Sequence, residues 1–165
     1  MNDMTDTYRL KITDSRLSIQ PKRDYLVKDI VIAVAATGIL TCTPLLNLYH
    51  QTMWGVLSVG FVLGCFAMYD LVFNANVTYI FDSSTRNIYQ KIPGLYTRKL
   101  MPFEEMHLLP VVEDGLLYYA ISSKKNKYGK SYLISHPFSE SEKGWRKRAL
   151  YESEILYSIE KHINQ

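Results

Sequence analysis

The chain of 165 residues is 47% hydrophobic, 13% aromatic and 21% charged, with a mean hydropathy of -0.10 and a net charge of +3. This composition excludes a disordered chain, a collagen-like repeat and a disulfide scaffold, and the charge is too small to argue for nucleic acid. The charge is nonetheless unevenly placed. Residues 30–73 hold no Lys or Arg and a single acid, Asp70, while the other 121 residues carry all 19 basic residues and the remaining 15 acids.

In chain order, residues 1–29 open with a predicted β-hairpin. Tyr8–Ile12 and Leu17–Pro21 alternate apolar and polar residues, and Thr13, Asp14, Ser15 and Arg16 between them have turn composition. Residues 30–73 then read as two membrane spans, Ile30–Tyr49 and Met53–Phe73, each 20 or 21 residues long. At about 1.5 Å per residue, a helix of that length covers the roughly 30 Å hydrocarbon core of a bilayer. Only His50, Gln51 and Thr52 separate them, which predicts a tight antiparallel hairpin. Pro44 is expected to kink the first span, a change a bilayer tolerates. Tyr25, Tyr49, Trp54 and Tyr69 fall near the expected interfaces. A cleaved signal peptide fits badly, because the first apolar run starts late and a second follows at once. A helical hairpin buried in a soluble core would need a shell that the other 121 residues could hardly supply. Arg9, Lys11, Arg16, Lys22, Arg23 and Lys28 precede the spans, 13 basic residues follow them and none lies between. The positive-inside rule then predicts a multi-pass protein of a bacterial inner membrane with both termini in the cytoplasm. On that side the Asn76-Val77-Thr78 sequon stays silent.

Within the second span, Gly60 and Gly64 have the spacing that lets two helix backbones approach closely. They predict packing against the first span, helped by Ala33, Ala36 and Gly38; a homodimer through the second span is the other reading. Asp70 stands three residues from the predicted end of its span and reads as an isolated interfacial carboxylate rather than part of an ion path. Cys42 and Cys65 are read as small apolar fillers.

Residues 74–165 predict further strands at Val77–Phe81, Ile88–Ile92, Tyr96–Met101, His107–Val112, Leu116–Ser122 and Ser131–Ser135. A helix over 142–162 follows, capped by Ser139 or Ser141, with Trp145, Ala149, Leu156, Ile159 and Ile163 on an inward face. The expected fold class is an α+β membrane protein: a transmembrane helical hairpin plus a small antiparallel β-barrel or sandwich closed by a C-terminal α-helix.

That outline resembles the pleckstrin-homology-like (PH-like) domains of bacterial two-span inner-membrane proteins, which place an N-terminal hairpin before two spans and complete the barrel after them. The residues that carry the likeness are the hairpin Tyr8–Ile12 to Leu17–Pro21, the strand opening Tyr79-Ile80-Phe81-Asp82, and the step Pro102-Phe103-Glu104-Glu105-Met106. Two-span photosystem I assembly proteins are similar in outline, with nothing in this chain that points to photosynthesis. The resemblance implies protein or headgroup binding without an active site.

No catalytic, cofactor or metal constellation emerges from the residues. His50, His107, His136 and His162 are scattered, and Glu104 and Glu105 point to opposite faces of an extended chain. A basic loop remains: Lys124, Lys125, Lys127 and Lys130 crowd around Tyr128, and on a tethered domain each is worth about 1 kcal/mol near an anionic leaflet. Arg146, Lys147 and Arg148 form a second cluster, interleaved with acids. The expected function is a non-enzymatic, membrane-anchored binding module that recruits a protein partner or anionic headgroup at the inner membrane, with no cofactor and no nucleic acid. The alternative is an immunity protein that neutralises a membrane-targeting bacterial toxin through its transmembrane hairpin, with Gly60 and Gly64 as the contact. A carrier built around Asp70 is a third reading.

Overall fold

The computed structural model describes residues 4–23, 25–46, 49–123 and 130–164. A short helix α1 (Met4–Thr7) leads into β1 (Lys11–Thr13) and β2 (Arg16–Ile19). An apolar helical hairpin follows as α2 (Tyr25–Cys42), a 3-10 turn (Thr43–Leu45), α3 (His50–Asp70) and a π turn (Leu71–Ala75). Next come β3 (Thr78–Asp82), β4 (Asn87–Ile92) and β5 (Tyr96–Pro102), a 3-10 turn (Phe103–Glu105), then β6 (His107–Glu113), β7 (Leu116–Ser122) and β8 (Ser131–Leu133). The C-terminal helix runs as α4 (Glu142–Tyr151), a π turn (Glu152–Leu156) and α5 (Tyr157–Ile163). The chain divides into two compact units, Asp24–Asn76 and the remainder, Met1–Arg23 with Val77–Gln165.

The larger unit is mixed α+β. Its strands form two antiparallel sheets, one ordered β1-β2-β3-β4-β5 and the other β6-β7-β8. The N-terminal hairpin is therefore an integral part of the post-hairpin sheet: β2 pairs with β3, with Leu17 opposite Phe81 and Ile19 opposite Tyr79. Turn chemistry sets the β6–β7 connection, where Asp114 (φ 51°) and Gly115 (φ 73°) both take the left-handed conformation of a two-residue hairpin turn. Among the described residues the sheets do not close into a barrel. Pro102 ends β5 without an N–H to donate, and the 3-10 turn with buried Phe103 carries the chain from one sheet to the other.

Both sheets and the C-terminal helix share one core that includes Leu17, Ile19, Phe81, Ile88, Ile121 and Ile134, with Ile155 and Ile159 from the helix. Tyr151 sits amid an aromatic group, with Tyr8 at 4.8 Å, Phe138 at 5.5 Å and Tyr119 stacked at 5.7 Å between ring centroids. Its hydroxyl donates to the Ile134 carbonyl at 2.8 Å, and burial pushes its phenol well above the usual range. The Tyr8 hydroxyl accepts from the His136 amide at 3.0 Å, which ties α1's end to the segment after β8.

The smaller unit holds two helices long and apolar enough to cross a membrane, spanning Tyr25–Leu45 and His50–Ala75. Their outer faces expose Val27, Val31 and Val34 on α2, and Phe61, Val62 and Phe66 on α3. The second extends beyond its predicted span at both ends, whereas the first is shifted towards the N-terminus and stops at Leu45, short of the predicted Tyr49. The first begins at Tyr25 rather than Ile30, because an α-helix accepts Lys28 and Asp29 in its opening turns whatever their hydropathy. Pro44 does not kink a continuing helix; it lies in the 3-10 turn in which the first helix ends.

Candidate functional site

The hairpin brings residues equidistant from its turn face to face. A Cβ added at Gly60 would lie 2.8 Å from Ile39 Cγ2 and 3.3 Å from Leu40 Cδ2, and one at Gly64 would lie 3.7 Å from Ala36 Cβ. The two glycines thus face the first helix of the same chain, where small side chains permit the close approach. Gly38, by contrast, has open space around its Cα and takes no part in that contact.

The same register pairs Asp70 with Asp29. Asp29 is 1% exposed, its carboxyl group lies beside that of Asp70, and its Oδ2 is buried without a hydrogen-bond partner. Asn74, one turn on within the π turn, donates from its amide to Asp70 Oδ1. Asp70 is therefore not isolated, as its sequence position implied, but half of a carboxyl pair contributed by both helices. A signal for this was present in the sequence. Asp29 lies as far before the hairpin turn as Asp70 lies after it, one residue outside the uncharged stretch. Among the described residues no group of three or more His, Cys, Asp or Glu side chains gathers to hold a metal ion.

In the β unit, Lys124, Lys125, Lys127 and Tyr128 of the basic loop lie outside the described residues; Lys130 is exposed just before β8. The loop thus joins β7 to β8. Glu104 is exposed and paired with Arg86 at 2.8 Å, whose hydrogen bond holds its carboxyl below the usual range. It forms no dyad with Glu105. His162 is buried, its Nε2 2.9 Å from Ser83 Oγ and 3.2 Å from the Phe81 carbonyl, so it fastens the end of α5 to β3 and the turn that follows.

Ser141 caps the C-terminal helix, its Oγ accepting from the Gly144 amide at 3.2 Å. The inward face differs from the expected one. Gly144, Tyr151, Ile155, Leu156, Ile159 and His162 are buried, whereas Trp145 is 57% exposed and Ala149 is also outside. The cause is the π turn at Glu152–Leu156. It inserts a wider turn into the helix and breaks the constant 3.6-residue period that the stripe assumed. Arg148 lies beside the Trp145 and Tyr119 rings, bonds Glu152 at 2.8 Å and donates to Tyr119 Oη at 3.1 Å. The Tyr119 hydroxyl also donates to Glu152, and with Arg148 that bond holds the Glu152 carboxyl below its ordinary value. Beside this network, Val112, Leu117, Phe138, Trp145 and Arg148 line a cavity of about 150 Å³. Compared with known proteins, the sequence matches no family model and no curated protein.

Proposed function

We propose that this protein is a non-enzymatic, membrane-anchored binding module whose PH-like unit recruits a protein partner or anionic headgroup at a bacterial inner membrane. The observation that carries the reading is the pairing of β2 with β3. Those strands flank the apolar hairpin in sequence yet adjoin in one sheet, so a hairpin that crosses the membrane twice returns the chain to complete a single folded unit at its surface. The excess of basic residues on both flanks favours the cytoplasmic side for that unit. The two packed sheets and C-terminal helix fit the PH-like outline as a sandwich rather than a closed barrel. Lys124, Lys125, Lys127 and Lys130, around Tyr128, are the contact, because no acid lies between Asp114 and Glu140 to neutralise them. The immunity reading gains no support here: Gly60 and Gly64, its assigned contact, are engaged with the first helix.

The test uses the full chain in nanodiscs of neutral lipid, offered neutral or phosphatidylglycerol-containing vesicles. In parallel, crosslinked partners are identified by mass spectrometry from native membranes. With the four lysines changed together to Ser, anionic-vesicle capture falls at least roughly tenfold and weakens in parallel with added salt, or a stoichiometric partner crosslinked through the loop is lost. Equal capture by both versions, together with an unchanged crosslink profile, would refute the reading.

A further inference from the structure

The outward face of the C-terminal helix carries a pattern that the core does not require. Trp145, Ala149, Ser153, Tyr157 and Lys161 recur at every fourth position and all are exposed, Tyr157 by 63%. In a regular helix such a row drifts sideways by about 40° at each step. The π turn at Glu152–Leu156 holds more residues per turn and offsets that drift, which keeps the row on one face. At its middle, Ala149, Glu152, Ser153, Leu156, Tyr157 and Glu160 border an open groove, with the small Ala149 and Ser153 at one end and the Tyr157 ring rising at the other.

We propose that this face docks a second copy of itself, the two helices antiparallel about a two-fold axis at Ser153. The row is self-complementary in that arrangement. An axis at Ser153 brings Tyr157 of each copy onto Ala149 of the other, a large side chain over the gap left by a small one. It sets Arg146, which pairs with Glu142 one turn earlier on its own helix at 2.6 Å, against the other copy's Glu160, and the Trp145 ring against the other copy's Lys161, a cation over an aromatic face. Arg146 and Glu160 are of opposite sign; Glu152 and Glu154, which stand opposite each other next to the axis, are alike in sign, with the Glu152 charge met by Arg148 of its own chain at 2.8 Å. A parallel pairing would instead oppose Arg146 to Arg146 and Glu160 to Glu160, which is repulsive. The isologous two-fold form is also the commonest symmetry of soluble homo-oligomers. One helix per copy buries less than the roughly 800 Å² per partner of a standard interface. On the membrane-anchored reading proposed above, confinement of both copies to one membrane raises their effective concentration and makes up the difference. This surface is independent of the basic loop and of whatever ligand the loop binds.

The experiment uses the full chain in membranes with Cys42 and Cys65 replaced by Ser. Ser153→Cys, on the axis, forms a disulfide-linked dimer on mild oxidation, whereas Lys143→Cys, exposed but off the row, does not. Adding Arg146→Glu to Ser153→Cys lowers the dimer yield roughly tenfold, and Glu160→Arg in the same chain restores it, since the charges are then exchanged rather than removed. Restoration is a result that misfolding cannot produce. The proposal is overturned if Ser153→Cys crosslinks no better than Lys143→Cys. It is equally overturned if Arg146→Glu leaves the yield unchanged, or if Ser153→Cys is captured by a different protein in place of its own copy.

Discussion

Gly144→Ala sets intrinsic helix propensity against a specific close approach. Gly144 lies in the first turn of α4, and replacing a helical glycine by alanine ordinarily gains about 1 kcal/mol. Here the new Cβ would fall inside the van der Waals envelope of the Ser139 carbonyl oxygen, 2.7 Å from Ser139 Oγ and 2.9 Å from its carbonyl carbon. Ordinary contact begins near 3.4 Å, so the segment before the helix must retreat by half an ångström or more. That segment is backbone, and it is held. Phe138 exchanges two hydrogen bonds with Leu117, at 2.8 and 3.1 Å, and Glu140 accepts from the Trp145 indole at 3.2 Å. Overpacking costs about 1–3 kcal/mol and a weakened Ser141 cap about 1 kcal/mol more. After the propensity gain, a net loss of about 1–3 kcal/mol remains. Hydrogen exchange of the purified full chain in detergent, read on peptides covering 142–163, is the assay. Protection in that helix drops roughly 10- to 100-fold, while Gly55→Ala, where the space is open, leaves it unchanged. A Gly144→Ala helix protected as well as the wild type, or better, would mean that propensity governs and the approach to Ser139 is not tight.

Two further outcomes follow from contacts elsewhere. Gly60→Leu, which drives a side chain into Ile39 and Leu40, lowers the melting temperature of the hairpin in detergent through a penalty of about 1–3 kcal/mol, and Gly55→Leu does not; equal melting of the two would place Gly60 away from the helix contact. Asp82 is buried and accepts from Ser84, which lowers its carboxyl below 3.8, with Arg16 at 2.8 Å adding to the effect. A lowered folded-state value contributes stability that is complete above the unfolded value and is lost as pH falls through the folded one. Asp82→Asn therefore flattens the acid limb of the β unit's stability below about pH 4 and leaves its shape near neutrality alone; an unchanged acid limb in urea titrations at each pH would refute the assignment.

The strands were legible because alternation and turn chemistry are local. Arg16–Ile19, Thr78–Asp82 and Leu116–Ser122 each lie within one or two residues of their predicted bounds. The two helices long enough to span a membrane were legible for the same reason, an unbroken apolar run. What escaped depends on pairing at a distance. Hydropathy halts at Lys28 and Asp29, so the start of α2 and the partner of Asp70 were missed together. Nothing local distinguishes a closed barrel from two sheets, because closure needs β5 to pair with β6 across Pro102 and Phe103 and the distant edges β1 and β8 to pair as well. The outward turn of Trp145 follows from a π turn, and an averaged 3.6-residue period cannot register one extra residue.

The adjacency of β2 and β3 also bears on biogenesis. Leu17 and Ile19 leave the ribosome long before Phe81 and Tyr79, the strand residues that complete their sheet. Between the two strands comes the whole apolar hairpin. If the hairpin crosses a bilayer as proposed, a chain that inserted one helix and not the other would strand the halves of the sheet on opposite sides of it. Leu17, Ile19 and Phe81, all fully buried in the finished fold, would then stay open to proteases. On the proposed two-span reading, the β unit thus reports on its own insertion: a chain with a single crossing cannot assemble it.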